Sequence, residues 1–155
     1  MMQLSQFLDF DAIRTDLSAG NKRQLLNQLA QIAGQRLSVD PTTIADAIAE
    51  RERLGSTGFG GGVAIPHGKL AGLDRVYALV TRLAAPLDYK AIDGAPVDLV
   101  FLLLSPPDAG AEHLKALAAV SRLVRHAATV EKIRGARSRD ALSAVLLGAE
   151  ERDAA

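Results

Sequence analysis

A chain of 155 residues with 48% hydrophobic content is long enough to bury a sizeable core and suits a single domain spanning 1–155. Its 18 Lys and Arg balance its 18 Asp and Glu, so no global field marks a nucleic-acid or anionic-membrane partner. The absence of cysteine excludes disulfides, thiolate metal sites and cysteine nucleophiles, and it fits a cytoplasmic protein.

The first nineteen residues carry Asp9, Asp11 and Asp16 against a single Arg14. They lack a basic region followed by an apolar block, so they do not read as a secretory signal, and no apolar run approaches a membrane span. Leu25, Leu26, Leu29, Ile32 and Ala33 recur at helical spacing and predict a helix over 21–37. Asp40 as N-cap, Pro41 at the first helical position and Gly55 as a stop predict a second helix, with Ile44, Ala47, Ile48 and Arg51 along or near one face. The stretch 76–83 alternates and reads as a strand. The nearly all-apolar 97–104 reads as a strand covered on both faces. Pro86 and the 92–96 segment are expected to supply turns between them, and Pro106-Pro107 to end strand structure. A helix is predicted over 109–126, with Leu114, Leu117, Ala118, Val120, Leu123 and Val124 as its apolar face. Two shorter helices are predicted near 129–134 and 138–147, then a polar tail, 150–155, expected to fray. Strands interleaved with helices indicate an α/β layered domain.

The segment from Gly55 to Lys69, GSTGFGGGVAIPHGK, is the most informative. Five of its first eight residues are glycine, which permits positive φ and close approach of the backbone. Pro66 fixes its own φ and biases Ile65 towards extended geometry, so the chain reaching His67 is stiff. An NH-rich loop followed by a rigidly presented imidazole suits an anion site with a nucleophile beside it. Set against that is a plain glycine turn before a short strand, with His67 on the surface. A P-loop is excluded because Gly68-Lys69 is followed by Leu70 and no helix-opening Ser or Thr. A dinucleotide fingerprint is excluded because the glycines follow a helix rather than a strand. No Gly-x-Ser-x-Gly or His-Glu-x-x-His pattern occurs, and His113 and His126 lie well apart around a common helix, so neither a serine hydrolase nor a zinc site is expected.

What remains is His67 as a nucleophile for phosphoryl transfer, chemistry that rests on positioning and charge stabilisation. The donors at hand are the loop amides, Gly60 and Gly61 among them, the Ser56 and Thr57 hydroxyls, and Arg51 near the end of the second helix. His113, in a first helical turn, is expected to be kept neutral by the helix dipole and to donate a hydrogen bond.

Arg51-Glu52-Arg53-Leu54-Gly55-Ser56-Thr57-Gly58 followed by Gly62-Val63-Ala64-Ile65-Pro66-His67-Gly68-Lys69 resembles the active-site motif of the IIA components of the bacterial phosphoenolpyruvate-dependent phosphotransferase system. The likeness is to the mannitol/fructose class and, within it, to the nitrogen-regulatory IIA proteins. Ala91-Ile92-Asp93-Gly94-Ala95-Pro96-Val97-Asp98-Leu99-Val100 and His113-Leu114-x-x-Leu117 resemble two further segments of that class, so the likeness spans nearly the whole chain. It implies a single mixed β-sheet flanked by helices on both faces. It implies that His67 accepts a phosphoryl group, at its Nε2, from a histidine-phosphorylated HPr-like carrier, supported by His113 and Arg51 and without metal, nucleotide or other cofactor. Phe59 and Gly61 depart from the residues common at those positions: Phe59 reshapes the docking surface and Gly61 adds loop freedom. The expected function is a phosphocarrier that regulates target proteins according to its phosphorylation state. The Gly-Ser-Thr-Gly opening and the lack of an attached IIB, HPr or membrane segment in these 155 residues favour that reading. The alternatives are a sugar-transport IIA that passes phosphate to a fructose or mannitol IIB, and a non-catalytic anion-binding module.

Overall fold

The computed structural model describes residues 2–154, with side chains through Arg152. Two 3-10 turns, Leu4–Gln6 and Phe10–Ala12, lead into β1 (Arg14–Leu17), α1 (Lys22–Leu37) and α2 (Pro41–Glu52). The glycine-rich segment forms β2 (Gly58–Gly60), β3 (Val63–Ala64) and β4 (His67–Lys69). The long strands β5 (Tyr77–Leu87) and β6 (Val97–Ser105) follow, then α3 (Gly110–Val124), α4 (Ala127–Gly135) and α5 (Arg139–Ala154).

The strands form one sheet in the order β1-β5-β6-β3-β2, with β4 also paired to β6. β1 runs parallel to β5, β3 and β4 run parallel to β6, and the β5–β6 and β2–β3 pairs are antiparallel. The sheet is therefore mixed, as the resemblance implies. Side chains of β6 alternate between two cores, as the period of a strand requires. Leu99, Phe101 and Leu103 pack with Val120, Leu123, Ile133 and Leu142 of the α3–α5 layer. Leu102 and Leu104 pack with Leu25, Leu29, Ile44 and Ile48 of the α1–α2 layer. Burial on both faces explains why 97–104 reads as continuous apolar sequence. Each such Leu contributes roughly 1.5–3 kcal/mol of transfer free energy to the fold.

Helix starts follow their caps. The Asn21 side chain accepts from the Gln24 N–H at 2.8 Å and the Asp40 side chain from the Thr42 N–H at 2.9 Å, satisfying donors that have no intrahelical partner. Several expectations need correction. Pro86 lies inside β5 rather than in a turn. It sits where the β5–β6 register shifts between Arg82 and Leu87, a place where a missing N–H breaks no ladder bond. Leu114 and Ala118 of α3 are exposed, and the buried stripe is His113, Ala116, Ala119, Val120, Leu123 and Val124. The helix faces the sheet through small residues one position away from the leucines. α3 ends at Val124, and His126 is the N-cap residue of α4. α5 continues as helix through Ala154, so most of the tail expected to fray is its last turn. The strands β1 to β4 are too short for their periodicity to show in the sequence.

Candidate functional site

The backbone at Ile65-Pro66-His67 is clamped to the sheet: the Leu103 N–H donates to the Pro66 carbonyl at 3.0 Å, and His67 pairs with Leu103 in parallel register. Leu103 faces the α3 layer, so the paired His67 lies on that same face. Gly68, opposite Leu104, faces the other way. A Cβ there would lie 3.0 Å from the Ala47 carbonyl oxygen, so only glycine lets α2 pack so closely on β4. That approach brings the C-terminal end of α2 to the site. From the other layer, α3 presents His113, the fourth residue of the helix and 9% exposed. The His67 and His113 ring centroids are 5.4 Å apart, with planes tilted by 53°.

The hydrogen bond at His67 decides its chemistry. Nδ1 lies 2.8 Å from the Ile65 carbonyl oxygen, which can only accept, so Nδ1 carries the proton and Nε2 keeps a lone pair. Burial, helped by the nearby Arg51 charge, lowers the His67 pKa, against opposing contributions from the Ile65 bond and Glu52. His113 is pushed down to about 4, by burial first and then by the fields of His67 and Lys69. Both rings are neutral at pH 7. The neutrality of His113 was expected from a helix dipole; burial is its main cause.

Arg51 and the loop segment after α2 sit beside this pair. The Arg51 Nη1 donates to the Gly55 carbonyl at 2.9 Å, closing the end of the helix, while its charge acts on His67. The Ile65 N–H donates to the Thr57 carbonyl at 3.0 Å, so residues 55–57 run alongside the approach to His67. The Ser56 Oγ accepts from the Gly58 N–H at 3.1 Å, which leaves its own proton to donate. Thr57 is turned inward. Its hydroxyl donates to Glu52, its N–H reaches the same carboxylate at 3.3 Å, and the Tyr89 hydroxyl donates to Glu52 at 2.9 Å. Lys22 pairs with Glu52 at 2.8 Å and lies 4.3 Å from the Tyr89 ring centroid. Burial alone would raise the Glu52 pKa, but Lys22, Thr57 and Tyr89 together hold it below the usual value. This buried knot anchors the loop carrying Ser56. Sequence reasoning missed Lys22 and Tyr89, which have no spacing signal; Glu52 stood inside the motif next to Arg51.

Gly60 and Gly61 lie elsewhere. The turn 60–62, with φ of 113°, 64° and 85°, meets the start of β6, where the Asp98 and Leu99 N–H groups both donate to the Gly62 carbonyl. His67 pairs four residues further on, at Leu103, roughly 13 Å away at the strand rise of about 3.3 Å per residue. The Gly61 N–H donates to Asp93 at 3.0 Å, and the Gly61 carbonyl accepts from Arg134 at 2.7 Å. In place of the expected amide cradle stands a turn whose Gly61 N–H is already taken by a carboxylate. Two large apolar side chains are exposed on the elements that carry the site: Leu54, just past the end of α2, is 83% exposed, and Leu114, next to His113 in α3, is 65% exposed. Phe59 and Ile92 are exposed near the glycine turn. Among the described residues no three His, Cys, Asp or Glu side chains come together to hold a metal ion, and no helix is long and apolar enough to cross a membrane.

The mixed α/β sheet that carries this arrangement agrees with the family comparison. The sequence model described as "Phosphoenolpyruvate-dependent sugar phosphotransferase system, EIIA 2" matches residues 6–148, and the chain belongs to this family of phosphotransferase components. Its similarity is strong to proteins named "Nitrogen regulatory protein". It is 42% identical over 145 residues to the one from Bradyrhizobium diazoefficiens, covering 94% of this chain and 95% of that one. It is 38% identical over 148 residues to the one from Pseudomonas aeruginosa, covering 95% and 96%. The crystal structure of nitrogen regulatory protein IIA-Ntr from Neisseria meningitidis superposes with a TM-score of 0.87 at 31% identity, covering 92% of this chain and 98% of that one.

Proposed function

We propose that residues 1–155 act as one cytoplasmic phosphocarrier unit of the nitrogen-related phosphotransferase branch, with His67 receiving a phosphoryl group from a histidine-phosphorylated HPr-like carrier. The observation that carries this reading is the Ile65–His67 hydrogen bond, which leaves Nε2 unprotonated. The Nε2 lone pair attacks phosphorus in line. The P–N bond of the donor breaks, and its electron pair returns to the donor imidazole. The new P–N bond at Nε2 puts positive charge on the His67 ring, and the Ile65 carbonyl accepting from Nδ1–H stabilises it. Arg51 supplies a cation and His113 a hydrogen-bond donor for the charge on the transferring oxygens, a reading supported by the Arg51 field at His67 and by the contact of the two rings. Ser56 supplies a hydroxyl. The exposed Leu54 and Leu114 suit a docking rim that keeps water from the reacting atoms.

Incubation of the 155-residue chain with phosphoenolpyruvate, the upstream enzyme and an HPr-like carrier is expected to add one acid-labile phosphoryl group, and His67→Ala to abolish it. Labelling that persists in His67→Ala overturns the assignment. Regulation rests on the two negative charges, roughly, that a phosphoryl group places beside Arg51. Partners captured from lysate on the phosphorylated and unphosphorylated forms are expected to differ. Identical partners and affinities, with transfer onward to a IIB domain, favour the sugar-transport alternative.

A further inference from the structure

Ser105 ends β6 wholly buried, on the same sheet face as Leu103, and it pairs with Lys69 of β4. Its Oγ lies 2.5 Å from the Nδ1 of His113. No motif covers Ser105, and the mechanism above does not use it. The contact matters because His113 is neutral at pH 7 and has a single N–H to offer. If that proton sits on Nδ1, it is spent on Ser105, and Nε2, on the far side of the ring, presents a lone pair that would repel a phosphoryl oxygen. If it sits on Nε2, His113 is a donor.

The serine decides between the two. A buried hydroxyl left without an acceptor costs about 1–3 kcal/mol. Among the described residues the Ser105 hydroxyl makes one hydrogen bond, to His113. Only when Ser105 donates to Nδ1 is its proton satisfied. We propose that Ser105 is a positioning residue that locks His113 in the Nε2–H tautomer, so that a neutral imidazole serves as the hydrogen-bond donor to the transferring phosphoryl group. The second half of this statement rests on the phosphocarrier reading; the first half does not.

The test begins with the wild-type chain carrying 15N-labelled histidine. Its NMR spectrum at pH 7 is expected to show His113 protonated at Nε2, with Nδ1 as a strongly hydrogen-bonded acceptor. A proton found on Nδ1 overturns the proposal. Ser105→Ala, which deletes one oxygen, is expected to move the Nδ1 resonance towards that of an unbonded nitrogen or to populate the second tautomer; an unchanged spectrum also overturns it. In transfer assays with the HPr-like carrier, Ser105→Ala is expected to slow phosphorylation roughly tenfold, the scale seen when a partner that sets a histidine's tautomer is removed. Adding Ser105→Ala to His113→Ala is expected to cause no further loss, because the serine acts through the imidazole. Losses that multiply overturn the coupling. If the wild type takes no phosphoryl group at all, the phosphocarrier reading fails, and the NMR result still decides the tautomer.

Discussion

The two ends of β6 hold different parts of one sequence motif. At the C-terminal end, His67 and His113 face each other with one ring nitrogen each tied to the protein, to Ile65 and to Ser105. Among the described residues neither ring has a carboxylate hydrogen-bond partner, and burial favours the neutral form of both. At the N-terminal end the 60–62 turn is surrounded by charge: Asp93 takes the Gly61 N–H, while Arg134 bridges the Gly61 carbonyl and the Asp98 carboxylate at 2.7 and 2.9 Å. A glycine-rich loop next to a candidate histidine in sequence is thus not by that fact its anion cradle. A carboxylate that already accepts the loop N–H competes directly with any phosphoryl oxygen. Here the glycines make the reversal that turns the chain back along β6, and the strand then delivers His67 to the far end.

If the comparison is right, the imidazole end is where stability responds to mild acid. The folded-state pKa of His113, about 4, lies below the value of about 6.5 of an unfolded histidine. Between those values the unfolded chain binds more protons, so stability rises with pH in that window and is lost as pH falls through it. From pH 7 to pH 5 the loss attributable to His113 is on the order of 2 kcal/mol. Urea unfolding at the two pH values is expected to show a shallower pH dependence in His113→Ala than in the wild type; equal slopes break this half of the comparison.

A smaller effect is expected at the other end. Arg134→Ala removes the bridge between the glycine turn and β6. It is expected to lower stability by roughly 1.5 kcal/mol, the scale of a partly buried charged hydrogen bond. The rate of His67 phosphorylation at saturating carrier is expected to stay within about twofold of wild type, since no donor to the phosphoryl group is lost. A large fall in that rate without unfolding would return the turn to the reaction. The smallest effect is expected midway. Thr81, opposite Val100, is fully buried, and its Oγ1 is the one buried side-chain oxygen or nitrogen among the described residues that lacks a partner. Thr81→Val keeps the shape and removes the orphan. It is expected to leave transfer unchanged and to raise stability by up to about 1 kcal/mol, read as a higher urea midpoint with the same slope.

Legible in the sequence were the helices with strong caps, α1 and α2, the doubly covered strand β6, and, through the motifs around them, His67 and His113 as the candidate pair that the structure brings together. These are local properties: a cap, a period or a motif is complete within a few neighbouring residues. Tertiary structure alone decided which face of α3 is buried, because the choice between the leucines and the His113–Ala116–Val120 stripe depends on how closely the helix must approach β6. It decided that Pro86 can stay in a strand, since a proline is tolerated wherever the partner's register slips. It also decided that Thr57 serves Glu52, that Gly61 meets Asp93 and Arg134, and that Ser105 meets His113. Each of these joins groups on different elements, from five residues apart for Thr57 and Glu52 to 73 for Gly61 and Arg134, and such partners are set by where packing and sheet register place the two groups, which no single element encodes.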